Sequence, residues 1–496
     1  MHLRSDKNMW IRLFRQFDGK SATLQGQVKE MLVHAILDGF VSPDARLPSS
    51  RLLSKALGLS RTTISLALQQ MSDHGFLVSR PRSGTYVNRE ILTPYLGADK
   101  TSRPSKAAAI DWRKRLRLVP TDQRNIAKPT DWQSFKYPFI YGQFDRALFP
   151  VADWRACAIE SLTVRAINTW SPDQMDRDLD FLTEQIQRRL LPSRGIWAAR
   201  EEILVTIGGQ QACYLLADLL MGRRTTVGIE NPGFPDARNN FLLRAGRIEA
   251  LPIDEDGLIP TRRRLERCDY VYVTPSHQCP TNVTMPLERR RALLAAAHAL
   301  DFVVIEDDHE SELNFSGEPL PALKSLDREG RVIYVGSLSK TLAHGVRIGF
   351  VVADAALIAE LRALRRLNVR HPPSNNAYAA ALFLAHGHRD SFVARLNVVY
   401  RERRAVLTEA LARTMPQCRI ARSVGGSAAW LDLGRGIDGK ALTRACAARG
   451  VLVEAGDIFF AQPPRSTRFL RLGYSAILPD RIAGGIKELA AAYAQM

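Results

Sequence analysis

Six short, uninterrupted apolar runs, separated by helical stretches, constrain this chain more than any other feature. Ile203-Leu204-Val205, Val227-Gly228-Ile229, Tyr270-Val271-Tyr272-Val273, Phe302-Val303-Val304-Ile305, Val332-Ile333-Tyr334-Val335 and Ile348-Gly349-Phe350-Val351-Val352 do not alternate with polar residues. A strand with one wet face alternates, whereas a strand covered on both faces does not. The pattern therefore predicts an α/β fold with a mainly parallel sheet between layers of helix. Ligands gather at the C-terminal strand ends of such sheets, and the chemically suggestive residues follow these runs directly.

After the first run, Gly208-Gly209-Gln210-Gln211 opens a helix, so backbone N–H groups free of bulky side chains can cradle a phosphate at the positive helix end. A glycine pair alone is weak evidence. After the Phe302 run comes Glu306-Asp307-Asp308-His309. An acid there can keep a pyridine nitrogen protonated, or it can simply cap the next helix. After the Val332 run, Ser337 and Ser339 offer hydroxyls to phosphate oxygens, and the amine of Lys340 can form a Schiff base with an aldehyde. Arg347 adds a fixed cation for the same phosphate. Four such elements at successive strand ends read as a site for pyridoxal 5'-phosphate.

The first ninety residues follow another pattern. Leu24, Val28, Leu32 and Ile36 recur every four positions, which predicts one buried face of a helix from Ser21 to Asp38, ended by Gly39. Ser49 and Ser50 offer N-caps to a short helix carrying Leu52, Leu53, Ala56 and Leu57. Gly58 supplies the turn, and Ser60 caps a helix from Arg61 to about Asp73. This is a helix-turn-helix pattern. The outer face of its last helix presents Arg61, Thr62, Thr63 and Ser65, groups suited to phosphates and base edges. Two short strand-like segments, Phe76-Leu77-Val78 and Thr85-Tyr86-Val87, flank a turn with Arg80 and Arg82, which reads as a basic wing. The alternative is a small protein-binding helical domain with both arginines solvated.

At 496 residues the chain is long enough for a large core and a smaller folded unit. Its 69 Lys and Arg against 51 Asp and Glu leave a formal charge of +18, which favours polyanionic partners but equally suits a basic soluble enzyme. The six cysteines show no C-x-x-C or His-paired spacing, so neither a disulfide framework nor a metal site is expected. No apolar run approaches the ~20 residues of a membrane span, and the N-terminus has no apolar signal core; a cytoplasmic protein without membrane contact is expected. Residues 89–136 are irregular and basic, with the cluster Arg113-Lys114-Arg115-Leu116-Arg117, and read as a linker. The expected organisation is a winged helix-turn-helix over 20–88, this linker, and a cofactor- and effector-binding domain over 137–496.

Leu47-Pro48-Ser49-Ser50-Arg51, Leu59-Ser60-Arg61-Thr62-Thr63 and Ser83-Gly84-Thr85-Tyr86-Val87 resemble the winged helix of GntR-type bacterial transcription factors. By that resemblance Arg51, Arg61, Thr62, Thr63, Arg82 and Gly84 contact double-stranded operator DNA, with Ser60 and Arg80 beside them. The later motifs resemble fold-type I aminotransferases. Val273-Thr274-Pro275-Ser276-His277-Gln278, Ile305-Glu306-Asp307-Asp308 and Gly336-Ser337-Leu338-Ser339-Lys340-Thr341-Leu342 are similar in particular to the MocR subfamily of GntR-type regulators. The resemblance covers nearly the whole chain except the linker. It implies that Lys340 carries pyridoxal phosphate, that Asp307 pairs with the pyridine nitrogen, and that Phe234 stacks on the ring. Gly209, Gln210, His309, Ser337, Ser339 and Arg347 complete the expected cofactor set, and Arg471 is expected to meet the carboxylate of an amino-acid effector.

Several positions depart from the family pattern. His309 stands where a tyrosine is usual, Ile207 where a serine is usual, and Cys279 and Asn282 where an aromatic residue and a glycine are usual; the glycine expected between Trp170 and Asp180 is missing. These departures count against efficient transamination. The expected function is thus a pyridoxal-phosphate-dependent transcriptional regulator that senses an amine or amino acid by external aldimine formation, working as a head-to-tail homodimer. The other reading is an active aminotransferase fused to a DNA-binding domain.

Overall fold

The computed structural model describes residues 7–17, 23–90, 110–143, 145–315, 320–464 and 467–496. The chain divides into two units, Met1–Leu116 and Arg117–Met496.

The first unit contains helices α1 (Lys7–Arg15), α2 (Leu24–Leu37), α3 (Ser50–Leu57) and α4 (Arg61–Asp73), then a hairpin of β1 (Leu77–Arg80) and β2 (Gly84–Val87). Side-chain caps set three of the helix starts. Thr23 Oγ1 accepts from Gly26 N at 3.1 Å, Ser49 Oγ from Leu52 N at 3.3 Å, and Ser60 Oγ from Thr63 N at 3.1 Å. Gly58 ends α3 at φ +70°, where a side chain would be strained. Val28, Met31, Leu32, Leu53, Ile64 and Met71 are completely buried. Trp10 and Leu13 of α1 join them, so the small core begins ahead of the expected boundary at residue 20. Leu24, expected on the inner face of α2, opens that helix and is exposed; the buried stripe begins with Gln27 and Val28.

In the second unit, β3 (Ile203–Thr206) leads into α5 (Gly208–Leu220). There follow β4 (Thr226–Asn231), β5 (Arg247–Asp254), β6 (Gly257–Leu258), β7 (Tyr270–Val273), β8 (Val303–Asp307), β9 (Val332–Ser337) and β10 (Gly349–Val352). They form one sheet in the order β3-β10-β9-β8-β7-β4-β5-β6. β9, β8, β7, β4 and β5 are parallel. β10 runs antiparallel to both β9 and β3, so β3 points the same way as the parallel set. Both faces are covered: the adjacent residues Val304 and Ile305 on β8 enter different apolar clusters. That two-sided burial is why the strands read as continuous apolar runs.

A smaller antiparallel sheet follows, formed by β11 (Arg419–Ile420), β12 (Ala428–Asp432), β13 (Glu454–Ala455) and β14 (Phe469–Gly473) in the order β11-β12-β14-β13. Its register sets Glu454 directly across from Arg471.

The stretch expected as linker has two parts. Residues 91–109 lie outside the described residues. Trp112–Arg115 forms a short exposed turn, and from Gln123 the chain is held against the second unit. Gln123 Nε2 donates to Asn239 O at 2.8 Å, Asn239 Nδ2 to Arg124 O at 2.8 Å, and Arg124 Nη2 to Asp457 O at 2.7 Å. Among the described residues, no helix is long and apolar enough to cross a membrane.

Candidate functional site

A cavity of about 380 Å³ lies at the C-terminal ends of β3, β4, β8 and β9. Every cofactor-binding residue expected from the sequence lines it: Gly209 and Gln210 from α5, Phe234 after β4, Asp307 and His309 at the end of β8, and Ser337, Ser339, Lys340 and Arg347 beyond β9. The volume falls in the range of small-molecule pockets.

At one end, backbone and cation are packed without slack. A β-carbon on Gly208 would stand 2.9 Å from Arg347 Nη2, and Gly208 itself adopts φ +75°. A β-carbon on Gly349 would stand 2.6 Å from the Gly208 carbonyl carbon. Arg347 Nη2 donates to Ile207 O at 2.9 Å. Ile207, which lacks the usual hydroxyl, thus uses its carbonyl to orient the arginine. The Ser339 N–H donates to Ser337 Oγ at 3.2 Å, whereas Ser339 Oγ is buried with no partner. A buried hydroxyl without a partner is costly. An anion held between the N-terminus of α5, Arg347 and Ser339 would satisfy it.

Asp307 ends β8 with its carboxylate oriented by neighbours. Tyr272 on the adjacent strand donates its hydroxyl to Asp307 Oδ2 at 2.5 Å, and His309 Nδ1 lies 3.6 Å from Oδ1. Desolvation pushes the His309 pKa down, but the facing Asp307 carboxylate and the charge of Glu310 outweigh this and raise it. The neighbouring Asp308 faces away into a structural network, accepting from Arg194 Nε at 2.7 Å, Ser276 Oγ at 2.5 Å and Tyr334 Oη at 2.9 Å.

Lys340 Nζ stands over the Tyr141 ring, 4.3 Å from its centroid. Burial lowers its ammonium pKa; Glu310 opposes this and Arg471 adds to it. A lysine that gives up its proton more readily is a better nucleophile. Glu310 would itself be raised by burial. Lys340, His309 and the Ser427 hydroxyl, which donates to its Oε1 at 2.7 Å, hold it below the usual carboxylate range.

Several pocket residues escape a reading of motifs. Tyr141, Lys128, His344 and Asp236 all line the cavity. Lys128 Nζ, Lys340 Nζ and His344 Nε2 lie 2.8, 3.5 and 3.7 Å from the point where a β-carbon on Gly142 would sit, and φ +71° favours glycine there. Burial, reinforced by Lys340 and Lys128, lowers His344 to about 3, which keeps it neutral. The one sequence sign of this wall is Tyr141-Gly142, with Gly142 at φ +71°.

Arg471 is placed differently from the other expected site residues. It is 1% exposed, its Nε donates to Glu454 Oε2 at 2.7 Å, and its guanidinium lies 4.0 Å from the Tyr141 centroid and 4.4 Å from that of Phe459. Its Nη2 has no partner. Two of the departures from the family pattern are found close by. Burial pushes the Cys279 thiol up to about 12, so it is an inert wall. Asn282 adopts φ +58°, a conformation asparagine tolerates better than most residues, which explains how it replaces a glycine.

On the first unit, Arg51, Arg61, Thr62, Arg80 and Arg82 are exposed. Ser60 and Thr63 hydrogen-bond to each other through their hydroxyls at 2.7 Å. Arg80 lies over the Tyr86 ring, 4.5 Å from its centroid. Arg82 occupies the wing tip at φ +60°, and Gly84 follows at φ +121°, where a β-carbon would meet Arg46 Nε at 2.8 Å. Among the described residues Arg51, Arg61 and Arg82 form no ion pair, so their guanidinium groups are free to meet phosphates.

Comparison with known proteins agrees with this division. The family "Aminotransferase class I and II" matches residues 150–483, and "Bacterial regulatory proteins, gntR family" matches residues 24–87. The HTH-type transcriptional regulator TauR of Rhodobacter capsulatus is 40% identical over 474 residues, 96% of this chain and 97% of that one. The probable rhizopine catabolism regulatory protein MocR of Rhizobium meliloti is 29% identical, over 94% of this chain and 93% of that one. Among solved structures, the α-aminoadipate aminotransferase LysN of Thermus thermophilus, complexed with N-(5'-phosphopyridoxyl)-L-leucine, matches with a TM-score of 0.71 and 27% identity. That match covers 78% of this chain and 99% of the other. The second unit thus has the fold-type I aminotransferase fold, and this chain, which joins it to a gntR-type helix-turn-helix, belongs to the MocR subfamily of GntR-type transcriptional regulators.

Proposed function

We propose that this protein is a cytoplasmic transcriptional regulator that holds pyridoxal 5'-phosphate on Lys340 and changes its grip on operator DNA when an amine or amino-acid effector enters the pocket. One observation carries the reading. A lysine with a lowered pKa, a carboxylate held by Tyr272, and an arginine packed against a glycine helix start converge in one cavity of a chain that also bears a gntR-type winged helix.

The residues present fit the cofactor. The unpartnered Ser339 hydroxyl, Arg347 and the start of α5 suit its phosphate, and the Asp307 carboxylate suits its pyridine nitrogen. Phe234 and Tyr141 supply the flanking surfaces. Bound there, pyridoxal phosphate supplies an aldehyde that condenses reversibly with primary amines. Around it, the Tyr141 ring faces the Lys340 amine, the charge of Glu310 opposes loss of its proton, neutral His344 adds no competing charge, and Asp307 keeps its orientation through Tyr272. An effector acid group is received on the Tyr141 side, where Arg471 Nη2 is unpaired.

An effector shifts DNA binding only through its different affinities for the DNA-competent and DNA-incompetent arrangements. A homodimer, head-to-tail as the family resemblance suggests, would present two winged helices to repeated or symmetric half-sites. The test is operator binding by purified full-length protein loaded with pyridoxal phosphate, titrated with a panel of amines. An amine that alters operator affinity in the wild type but not in Lys340→Ala supports sensing. With a 2-oxo acid added as amino acceptor, steady release of a keto acid or aldehyde from the amine would instead make the protein an aminotransferase.

A further inference from the structure

The winged-helix unit carries a cation that none of the sequence motifs includes. Arg46 lies just before Leu47-Pro48-Ser49-Ser50-Arg51, in a segment that adds a third strand to the hairpin of β1 and β2. Asp44 N donates to Val87 O at 3.2 Å, Val87 N to Ala45 O at 3.0 Å and Leu47 N to Thr85 O at 2.9 Å. Arg46 itself is paired with Tyr86. That pairing decides where its side chain goes. Residues paired across an antiparallel ladder face the same side, and alternate residues along a strand share it. Arg46, Tyr86, Gly84 and Arg80 therefore stand on one face, while Leu77 and Val87, paired with each other on the opposite face, are buried in the small core.

Along this outer face the Arg46 side chain extends until its Nε stands 2.8 Å, and its Nη2 3.3 Å, from where a β-carbon on Gly84 would sit. The guanidinium thus fills the space that a side chain at Gly84 would take, close to the wing tip at Arg82. The neighbouring charges are engaged with one another. Arg80 lies over the Tyr86 ring and 3.9 Å from Asp44, which also pairs with Arg89 at 3.5 Å. Arg46 is exposed and, among the described residues, has no carboxylate within ion-pair distance. Its place joins two stretches expected at the DNA: Ser49 and Arg51 follow it in the chain, and Gly84 adjoins it in space. An unpaired guanidinium, with its donors in a rigid fork, suits the oxygens of a phosphate.

We infer that Arg46 meets a backbone phosphate of double-stranded DNA, through the gap that Gly84 leaves open on the outer face of the wing. The contact is independent of base sequence and positions the wing on the duplex. Gly84 then acts by making room for Arg46, and the third strand supplies a cation beside the hairpin's own Arg82. This inference rests on the reading of the first unit as a DNA-binding winged helix.

The test uses full-length protein as wild type, Arg46→Gln and Arg46→Lys, with a fluorescein-labelled duplex enriched by the wild type from a random-sequence pool. Binding is followed by anisotropy over a series of salt concentrations, and the readout is the slope of log affinity against log salt. Arg46→Gln should flatten that slope by about 0.9 for each protomer bound, and should weaken binding to a second duplex of unrelated sequence by a similar factor. Arg46→Lys keeps the charge and should restore the slope. A residue that only props the wing behaves otherwise, because lysine lacks the planar guanidinium and the slope counts phosphate contacts. Ethylation of the contacted phosphate should weaken binding by the wild type and make no difference to Arg46→Gln. Thermal midpoints verify that the variants stay folded. A slope in Arg46→Gln within about 0.3 of wild type, or an Arg46→Lys slope as flat as that of Arg46→Gln, overturns the inference. A wild type that enriches and binds no duplex refutes the DNA-binding reading of the first unit, and this inference with it.

Discussion

Tyr272 donates its hydroxyl to Asp307 Oδ2 across neighbouring parallel strands, at 2.5 Å. The ring is completely buried against Phe241, so this strand contact orients the carboxylate before any ligand arrives. Tyr272→Phe keeps the packing and removes one hydrogen bond to a charged group, a contact of about 1.5–3 kcal/mol. Pyridoxal phosphate should bind roughly tenfold or more weakly with thermal stability nearly kept. An absorbance titration checks this, and an unchanged dissociation constant would place the pyridine nitrogen elsewhere.

Gly208 opens α5 with positive φ, and the Arg347 guanidinium lies 2.9 Å from where a β-carbon would sit. Gly208→Ala should cost about 1 kcal/mol or more in folding stability from backbone strain alone, and should displace Arg347 from the phosphate end. The expected result is a lowered Tm with a larger loss of cofactor affinity. Gly222→Ala, where no atom lies within 4 Å of the added carbon, serves as the control.

Glu230 provides a pH signature. Burial raises its carboxyl to about 7 from the ordinary 4.5, although Thr274 Oγ1 at 2.7 Å and Gln278 Nε2 at 3.3 Å donate to it. The folded state therefore keeps a proton that the unfolded chain releases near pH 4.5, and this group makes stability fall as pH rises from about 4.5 to about 7. Glu230→Gln should remove that slope, on the order of 3 kcal/mol in total, and so should gain stability relative to wild type at pH 7.5 compared with pH 5. Parallel denaturation curves of both proteins at the two pH values test it; a difference that does not change with pH would show that Glu230 is ionised in the folded state.

Arg61 begins α4 beside the Ser60 cap and is exposed. Arg61→Ala should weaken operator binding by about 1–3 kcal/mol if it reads a base, and should reduce the salt dependence if it meets a phosphate. Binding isotherms at several salt concentrations separate the two outcomes. No change in either quantity would move the DNA surface away from α4.

What was legible in the sequence was local. Ser49, Gly58 and Ser60 announce their helix ends because capping needs only neighbours within four residues, and those ends stand where expected. The six apolar runs give six of the sheet's eight strands, because burial on both faces leaves no room for alternation; β5 and β6 at the sheet edge, where β5 alternates between buried and less buried residues, are not among them. Residues at strand ends, from Gly209 to Arg347, converge because parallel strands all deliver their C-terminal ends to one edge. The far wall was not legible. Lys128 and Tyr141 lie in an irregular stretch with no period to read, and they reach the pocket only through tertiary hydrogen bonds such as those of Asn239. The pairing of Arg471 with Glu454 depends on the register of a separate sheet. The core role of Trp10 and Leu13 was likewise hidden in a short helix with too few turns to show a face.

The most direct test of the account is borohydride reduction of the full-length protein saturated with pyridoxal phosphate, followed by proteolysis and mass mapping. One pyridoxyl adduct is expected, on the peptide containing Lys340, and none in Lys340→Ala. An adduct on Lys128, or no adduct on Lys340 at saturation, would contradict it.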